Sequence, residues 1–243
     1  MEHQIEIKSC WTDARLKELK TDYFYLANTV FGTFVTKDYY KAKYDNNIYG
    51  PSLLTVAYVD GYPVGVDVMW RNDLKGKKAY QTVDTCVLEP FRGMGLFKKI
   101  TYHELDFLGH ETLVYGFPNV NSHPGYIKMG WHEQRVYKTF CRPQEGEALD
   151  VSYAAWWMKA QTGITHIRKK GTYYLIRKQG NKHTAILIGQ VDEKTARLFP
   201  EAKGVWLLKR FDTTPSIYNR NKSIPLVCNK PNEGIPYWKI DAI

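Results

Sequence analysis

The order of apolar patterns along this sequence predicts a mixed α/β fold. Strand-like and helical segments follow one another as helix, helix, hairpin, strand, helix, strand, helix and strand up to Pro143. Two junctions support this order. Asp60-Gly61 separates two β-rich runs and is a strong signal for a hairpin turn. Residues 87–109 change from strand-like to helical periodicity across a pair of glycines.

The N-terminal elements can be assigned from caps and periodicity. Apolar residues recur at helical spacing after Thr12-Asp13, which is a suitable N-cap, and a second short helix begins near Lys37. Residues 52–73 predict two antiparallel strands joined by a tight turn. The next strand lies within residues 79–90 and ends at a Glu-Pro pair.

The rest of the first region continues this alternation. Helical periodicity extends from Gly95 to Leu108. It is followed by a strand at 111–119, a short helix at 123–130 and a strand at 132–143. We therefore assign residues 1–143 to one mixed α/β domain.

Residues 144–243 form a second, smaller region. A linker and helix are expected at 144–160, followed by a hairpin that turns at Gly180-Asn181, a helix near 193–199 and a strand at 204–211. The proline-containing tail shows little periodicity. This region repeats the strand content of the first but has no glycine-rich turn of its own.

Composition limits the classes of function. The formal net charge of +9 and a pI near 9.2 favour anionic partners such as a phosphorylated cofactor, an acidic substrate or nucleic acid. No apolar run approaches the roughly 20 residues of a membrane span, and the N-terminus has no signal-peptide core, so a cytoplasmic protein is expected. The four cysteines are scattered without a ligand pattern, which predicts free thiols and no metal site.

The strand–glycine–helix junction predicts an anion site. The first N–H groups of a helix have no intrahelical acceptor and point out of its end, along the helix dipole. Gly93 and Gly95 let a bulky anion approach the main chain, and Arg92 adds a charged donor for phosphate or for neighbouring carbonyls. A purely structural turn with an exposed arginine is the alternative. Neither a triphosphate loop nor a dinucleotide fingerprint is complete here.

The segment LEPFRGMGLFKKI at 88–100 resembles the acyl-CoA pyrophosphate loop of the GNAT superfamily of N-acyltransferases, R/Q-x-x-G-x-G/A. Arg92 takes the first position and Gly95 the fourth, whereas Phe97 stands where the family usually has glycine or alanine.

A second segment, YGFPNVNSHPGYIKMGW at 115–131, resembles the Y-x-K-x-G-[FW] segment of the same superfamily. The matching positions are Tyr126, Lys128, Gly130 and Trp131. The two matches, with the upstream helices and hairpin, cover roughly residues 20–142. The resemblance implies a GNAT fold: a mixed, twisted central sheet flanked by helices. Residues 144–243 resemble the degenerate second half of extended GNAT proteins, which would wall in the acceptor site.

The resemblance also implies how acetyl-CoA or another acyl-CoA would bind. The strands on either side of the long helix should splay apart to admit the pantetheine arm. Backbone groups of Cys86, Val87 and Leu88 would hold that arm, with Asn119 as a further hydrogen-bond partner. The pyrophosphate would be held by the main-chain N–H groups of Gly93, Met94, Gly95, Leu96, Phe97 and Lys98.

Two side chains are candidates for catalysis. The resemblance implies that Tyr126 donates a proton to the CoA sulfur, and the alternative is that it only packs against the cofactor. Strand alternation places Asp84 on the same face as Cys86 and Leu88, where burial would raise its pKa toward that of a working base. The alternative for Asp84 is a structural ion pair. His123 and Asn121 are tentative substrate contacts, although a capping role is open for both.

These observations predict an N-acyltransferase that moves an acyl group from acyl-CoA to an amine by direct attack in a ternary complex. The acceptor is expected to be a small molecule, and the protein a monomer or homodimer. The alternative is a GNAT scaffold that modifies or binds nucleic acid. The charge of +9 and the aromatic, basic second region motivate it. Fold alone does not decide between them.

Overall fold

The computed structural model describes residues 3–13, 17–32, 35–47, 49–73, 77–140, 164–178, 184–204, 206–212 and 223–231. The chain forms two compact units. The first consists of Met1–Glu133 and Val227–Glu233, and the second of Gln134–Leu226 and Gly234–Ile243. They differ from the predicted ranges 1–143 and 144–243 chiefly in that most of one strand joins the second unit and a short C-terminal segment joins the first.

The first unit contains a mixed sheet in the order β1-β2-β3-β4-β5. All neighbours are antiparallel except β4 and β5, which are parallel. The last two residues of a strand from the far end of the sequence, Val227 and Cys228 of β11, pair antiparallel with β5. The strands are β1 Ile5–Trp11, β2 Leu53–Val59, β3 Tyr62–Arg71, β4 Ala79–Val87, β5 Leu113–Gly116 and β11 Ser223–Cys228.

Helices cover both faces of this sheet. The helices are α1 Lys17–Phe31, α2 Lys37–Tyr40 with a π-helical continuation Lys41–Asp45, α3 Leu96–Leu108 and α4 His123–Lys128. Leu96 and Ile100 of α3 pack with Ala57, Val59 and Val64 of the β2–β3 hairpin. Further along, Leu105 joins a cluster that includes residues of five strands and α4. The helix is thus anchored along its whole length, which fixes the loop at its N-terminus.

The second unit has the strand order β6-β10-β9-β8-β7. Its elements are β6 His132–Phe140, β7 Ile164–Lys169, β8 Thr172–Lys178, β9 Thr184–Val191, α5 Glu193–Ala196 and β10 Leu207–Asp212. An antiparallel meander, β7-β8-β9, leads through α5 to β10, which is parallel to β9. The same order, β2-β3-β4, helix, parallel strand, occurs in the first unit. The junction before α5 reads QVDEKTA and contains no glycine.

The mixed α/β class is confirmed, and most predicted elements of the first region are present. The hairpin turn occurs at Asp60-Gly61, where both residues have positive φ. Three strands were missed: β1, β7 and β11. The predicted helix at 144–160 and the turn at Gly180-Asn181 lie outside the described residues.

Two further sequence expectations concern the whole chain. Within the described ranges, no helix is both long and apolar enough to cross a membrane. Cys10, Cys86 and Cys228 are free and buried, and Cys141 lies outside those ranges.

Candidate active site

The predicted anion site is the loop between β4 and α3. Here β4 ends at Val87, a short 3-10 turn covers Glu89–Phe91, and α3 begins at Leu96. Gly93 and Gly95 have φ angles of +87° and +73°, a left-handed conformation that glycine adopts readily and that a side chain resists. A Cβ atom at either glycine would meet no atom within 4 Å, so the loop surface is open on this side.

The six amides predicted to hold a pyrophosphate, 93–98, lie at the N-terminus of a 13-residue helix. Lys99 N–H donates to Gly95 C=O at 3.0 Å, so the three helical N–H groups before it have no intrahelical acceptor. The N–H groups of Gly93, Met94 and Gly95 donate to no backbone carbonyl in the part of the chain that the structure describes. This row of donors, aligned with the helix dipole, suits an anion.

Arg92 stabilises the entry to this loop. Its Nε donates to the carbonyl oxygen of Val87 at 3.2 Å. The sequence predicts either a phosphate or a neighbouring backbone carbonyl as the acceptor for Arg92. In the structure, the acceptor is the backbone carbonyl. Leu88 is also engaged: its N–H donates to Val64 C=O at 2.8 Å and its C=O accepts from Phe91 N–H at 3.0 Å. Of the three residues predicted to hold pantetheine, Leu88 therefore has both backbone groups in use.

The two strands beside α3 part as predicted. β4 pairs with β5 only over Ala79–Gln81, although β4 continues to Val87. The separation starts at Thr82, where Gly116 of β5 is still close: a Cβ on Gly116 would come within 2.5 Å of the Thr82 methyl carbon. Beyond this point, the edge of β4 that faces β5 has no strand partner among the described residues.

Phe97, which departs from the family pattern, packs against α4. A Cβ on Gly125 would come within 2.6 Å of the Phe97 ring, so the ring occupies the space that the glycine leaves. The same ring meets Tyr126 edge-on, with 4.9 Å between ring centroids. The large residue at this position therefore connects the glycine loop to the predicted acid.

Tyr126 is buried, and its hydroxyl group lies 2.9 Å from the Thr82 hydroxyl. Burial and the nearby charge of Asp67 raise the pKa of Tyr126. Because Thr82 directly follows the last residue of β4 that pairs with β5, the Tyr126 hydroxyl lies where the two strands part. The predicted site tyrosine and the predicted opening in the sheet thus coincide.

Behind Tyr126 lies a pair of buried carboxyl groups, Asp67 on β3 and Glu104 on α3. Asp67 accepts hydrogen bonds from Thr82, at 3.1 and 3.2 Å, and from Thr85. Burial raises the pKa of Asp67 more than the hydrogen bonds that it accepts lower it. Burial and the charge of Asp67 raise the pKa of Glu104 well above its ordinary value.

Asp84 lies at a bulge between β3 and β4 and has a φ angle of +56°. Its carboxylate accepts hydrogen bonds from Tyr23, at 2.7 Å, and from Tyr44. The Lys43 ammonium lies 3.6 Å away. This carboxylate is therefore held by α1 and the helical segment that follows α2.

The expectation that the pKa of Asp84 is raised is wrong. Burial alone would raise this pKa, but the Lys43 charge and the hydrogen bonds from Tyr44 and Tyr23 outweigh it, so that the pKa lies below its usual value. Asp84 is thus ionised at neutral pH. Cys86, two residues along the strand, is buried, and burial with the charge of Asp84 raises its thiol pKa to about 12.

The loop before α4 holds the other predicted site residues. Asn119 Oδ1 accepts from the N–H groups of Asn121 and Ser122 at 2.9 and 3.0 Å, which is a local turn. His123 Nε2 lies 3.0 Å from Glu133. Asn119 and His123 therefore have partners within the chain, and Asn121 is exposed.

The basic and aromatic residues of the second region are partly engaged with one another. The Arg168 guanidinium lies over the Tyr173 ring at 5.5 Å, and Tyr174 is buried. Trp156, Trp157 and Trp238 lie outside the described residues.

Sequence reasoning missed Lys43, Asp67, Thr82 and Glu104. One signal was present: Glu104 follows Ile100 by four residues and precedes Leu105, on the apolar stripe of an amphipathic helix. Asp67 likewise is a single charge in an apolar strand, VGVDVMW. A charge on a buried stripe predicts a buried polar interaction, but it does not identify the partner.

The sequence matches no protein-family model and no curated protein. Solved structures do resemble it. A probable N-acyltransferase from Enterococcus faecalis V583 has a TM-score of 0.59 and 13% identity, over 93% of this chain and 72% of the other.

Two further structures are GCN5-related N-acetyltransferases. That from Anabaena variabilis has a TM-score of 0.55 and 10% identity over 91% of this chain and 72% of its own. The other, from Kribbella flavida, has a TM-score of 0.54 and 8% identity over 93% and 71%. The chain therefore has an acyltransferase-type α/β architecture. More specifically, it has the GNAT fold.

Proposed function

We propose that this protein is an N-acyltransferase that moves an acetyl or similar acyl group from acyl-CoA to an amine acceptor within a ternary complex. The observation that carries the proposal is the occurrence of three features along β4 from Thr82 onward and in the loop that follows it. These are the open row of amides before α3, the parting of β4 from β5, and the Tyr126 hydroxyl at the point of parting. The GNAT fold of the chain agrees with it.

The residues present fit an acyl-CoA. The amides of 93–98 can hold a pyrophosphate, and the positive φ angles of the two glycines keep the approach to them clear of side chains. The edge of β4 that faces away from β3 at Cys86 and Val87 has no strand partner among the described residues and can hydrogen-bond the pantetheine amides in the manner of a sheet, although the Val87 carbonyl also accepts from Arg92. When bound, acyl-CoA supplies an activated thioester.

The side chains around the opening have distinct roles in this proposal. Tyr126, held neutral by burial, is the proton donor to the departing sulfur. Asp84 is the acceptor of the amine proton, but its lowered pKa makes it a weak base. We therefore expect the rate to rise with pH until the free amine form of the acceptor predominates.

Calorimetric titration of acetyl-CoA tests the proposal. Wild-type protein should bind, and Gly95→Trp should not. Gly109→Trp is the matched control, because Gly109 lies at the other end of α3, has a φ angle of +84° and also has open space around it. Equal loss in both variants would indicate a general effect of backbone strain rather than a phosphate site.

The acceptor can then be sought with a panel of polyamines, amino sugars, amino acids and short peptides, with release of CoA thiol as the readout. If wild-type protein does not bind acetyl-CoA, the proposal is wrong. DNA and RNA titrations at several salt concentrations then test the alternative, since phosphate contacts give a steep salt dependence.

A further inference from the structure

The buried carboxyl groups Asp67 and Glu104 have no role in the function proposed so far. Glu104 is fully buried, and among the described residues neither of its carboxyl oxygens lies within hydrogen-bond distance of a donor, although the Thr55 hydroxyl faces the group. Neither Asp67 nor Glu104 forms an ion pair with a basic side chain among the residues that the structure describes. An ionised Glu104 beside an ionised Asp67 would place two buried negative charges together, which is strongly unfavourable. The pair therefore holds a proton, and Glu104 can donate it to Asp67.

This pair is connected to Tyr126 through the Thr82 hydroxyl group, and the Thr85 hydroxyl is a second group that contacts both Asp67 and Thr82. Thr82 Oγ1 lies 3.1 Å from a carboxyl oxygen of Asp67 and 2.9 Å from the Tyr126 hydroxyl. A hydroxyl group has one proton to donate, and an ionised carboxylate only accepts. With Asp67 ionised, Thr82 and Thr85 both donate to Asp67, and the Thr82 oxygen is then free to accept from Tyr126. In that state, the Tyr126 proton is engaged in the hydrogen bond to Thr82.

We propose that Asp67 and Glu104 form a buried proton reservoir that serves Tyr126 through Thr82. When the shared proton lies on Asp67, the direction of donation reverses: Asp67 donates to Thr82, Thr82 donates to Tyr126, and the Tyr126 proton becomes available to the departing sulfur. The inference rests on the proposed acyl transfer. Asp67, Thr82 and Glu104 are positioning residues, since they act through Tyr126.

The proton transfers balance. The O–H bond of Tyr126 breaks as the S–H bond forms, while Thr82 gives its proton to the Tyr126 oxygen and Asp67 gives the shared proton to Thr82. Tyr126 and Thr82 end neutral, and the carboxyl pair has lost one proton. Two buried carboxylates then remain, and their repulsion favours recovery of a proton from water after the products leave.

Such a relay resolves a mismatch in acidity. An ordinary tyrosine, with a pKa of about 10, is a weaker acid than an ordinary thiol, with a pKa of about 8.5. Burial and the Asp67 charge raise the pKa of Tyr126 further. Donation by Tyr126 alone would leave a buried tyrosinate. Concerted replacement of its proton moves that charge from the tyrosine to the carboxyl pair, where it remains until the pair takes up a proton again.

Hydroxyl groups from the two strands that neighbour β3, β2 and β4, face the carboxyl pair. Thr55 on β2 faces Glu104, and Thr82 and Thr85 on β4 face Asp67. Tyr126 on α4 and the Cys86 thiol are the other titratable groups near Asp67.

The first test is spectroscopic and needs no substrate. Infrared spectra at neutral pH should contain the carbonyl band of a protonated carboxylic acid, and Glu104→Gln should abolish that band. Its absence from wild-type protein would overturn the reservoir. Thr101→Val, which removes a different buried hydroxyl from α3, should leave the band in place.

The second test is kinetic and uses acetyl-CoA with the best amine from the panel. The double variant Thr82→Val/Thr85→Val keeps the shape of both side chains but removes both hydroxyl groups that can link Asp67 to Tyr126, and kcat should fall by about tenfold or more. The rate in mixtures of light and heavy water should change from a curved to a linear dependence on deuterium content, because fewer protons move together. Thr82→Ser/Thr85→Ser should restore both, and Thr101→Val should change neither.

The outcomes separate the two proposals. If wild-type protein shows no acyl transfer, the proposed function is wrong, and the relay with it. If wild-type protein is active and Thr82→Val/Thr85→Val retains both its kcat and its curved isotope dependence, only the relay is wrong. A fall in kcat with the curved dependence retained indicates a structural role for Thr82 and Thr85, and this also overturns the relay.

Discussion

The bulge between β3 and β4 separates two carboxylate sites with opposite acid–base behaviour. Asp84 is held by α1 and the segment after α2, with an ammonium and two phenol groups as partners. Asp67 is next to Glu104 of α3, with hydroxyl groups as its other partners. The pKa of Asp84 is lowered, whereas those of Asp67 and Glu104 are raised.

The difference shows that partners, rather than burial, decide the charge of a carboxyl group in a sheet. Asp67 and Glu104 are fully buried and the Asp84 side chain is 21% exposed, so partial or complete loss of water favours the neutral acid at both sites. At Asp84, a positive charge and two hydrogen bonds exceed that penalty. At the Asp67 site, the neighbour is a second acid, which adds to the penalty. One sheet therefore provides a fixed negative charge and a protonated pair.

Removal of the Lys43 ammonium should have the largest effect on this contrast. Lys43→Met leaves Asp84 without its cation, which should lower the free energy of unfolding by about 3 kcal/mol. Because the folded-state pKa of Asp84 is lowered, the stability it provides is present above the unfolded pKa of about 3.9 and is lost as pH falls below it. The difference from wild type, measured by urea unfolding, should therefore shrink in acid.

Lys8→Met is the control for a lost positive charge. Lys8 pairs with Glu6 at 3.1 Å, but both side chains are about half exposed. Its removal should cost less than about 1 kcal/mol. Equal losses in the two variants would mean that the Lys43–Asp84 pair behaves as a surface ion pair.

The phenol groups on Asp84 should contribute less than the ammonium. Tyr44→Phe removes one hydrogen bond to a charged acceptor and should cost about 2 kcal/mol. Tyr40→Phe is matched to it, since the two rings lie 4.9 Å apart and the Tyr40 hydroxyl is buried without a hydrogen-bond partner in the described ranges. That control should be neutral or slightly stabilising. A destabilised Tyr40→Phe with an unaffected Tyr44→Phe would reverse this assignment of hydrogen bonds.

Some of this arrangement is visible in the sequence because it depends on local conformation. The loop at Gly93 and Gly95 follows from the need for positive φ before a helix, and the Asp60-Gly61 turn follows from the same rule. The proximity of Tyr126 to this loop is implied only by the family resemblance, because the sequence between them does not indicate how far apart they lie in the fold.

Other features depend on residues that are distant in sequence. β11 pairs with β5 although more than a hundred positions separate them, so no local pattern indicates it. The meeting of Asp67 with Glu104 also depends on tertiary packing. Thr82 and Thr85 both contact Asp67, which strict alternation along a strand forbids and the bulge permits.

A steric change on the Asp67 side should have a moderate effect. Gly116→Ala would place its Cβ 2.5 Å from the Thr82 methyl carbon and must displace that side chain. We expect a loss of about 1–2 kcal/mol in stability. Thr82→Ser removes the methyl group, so the double variant should recover most of the loss. Additive effects in this double-mutant cycle would contradict the contact.

The smallest expected effect has the opposite sign and most directly contrasts the two sites. Glu104→Gln replaces a group that is neutral in the folded protein and charged in the unfolded chain at pH 7. Because the folded-state pKa of Glu104 is raised, the stability linked to its proton is complete below the unfolded pKa of about 4.3 and is lost as pH rises through the folded-state value. The glutamine should therefore raise the free energy of unfolding at pH 7, by about 1 kcal/mol, since one of its N–H groups can donate to Asp67 while the other gains no partner. The advantage should increase with pH and vanish at about pH 4. Asp84→Asn should instead destabilise the protein at pH 7, because it removes the negative charge that Lys43 requires. If Glu104→Gln is destabilising and its effect does not vary with pH, Glu104 is ionised in the folded protein, and the contrast between the two carboxylate sites is wrong.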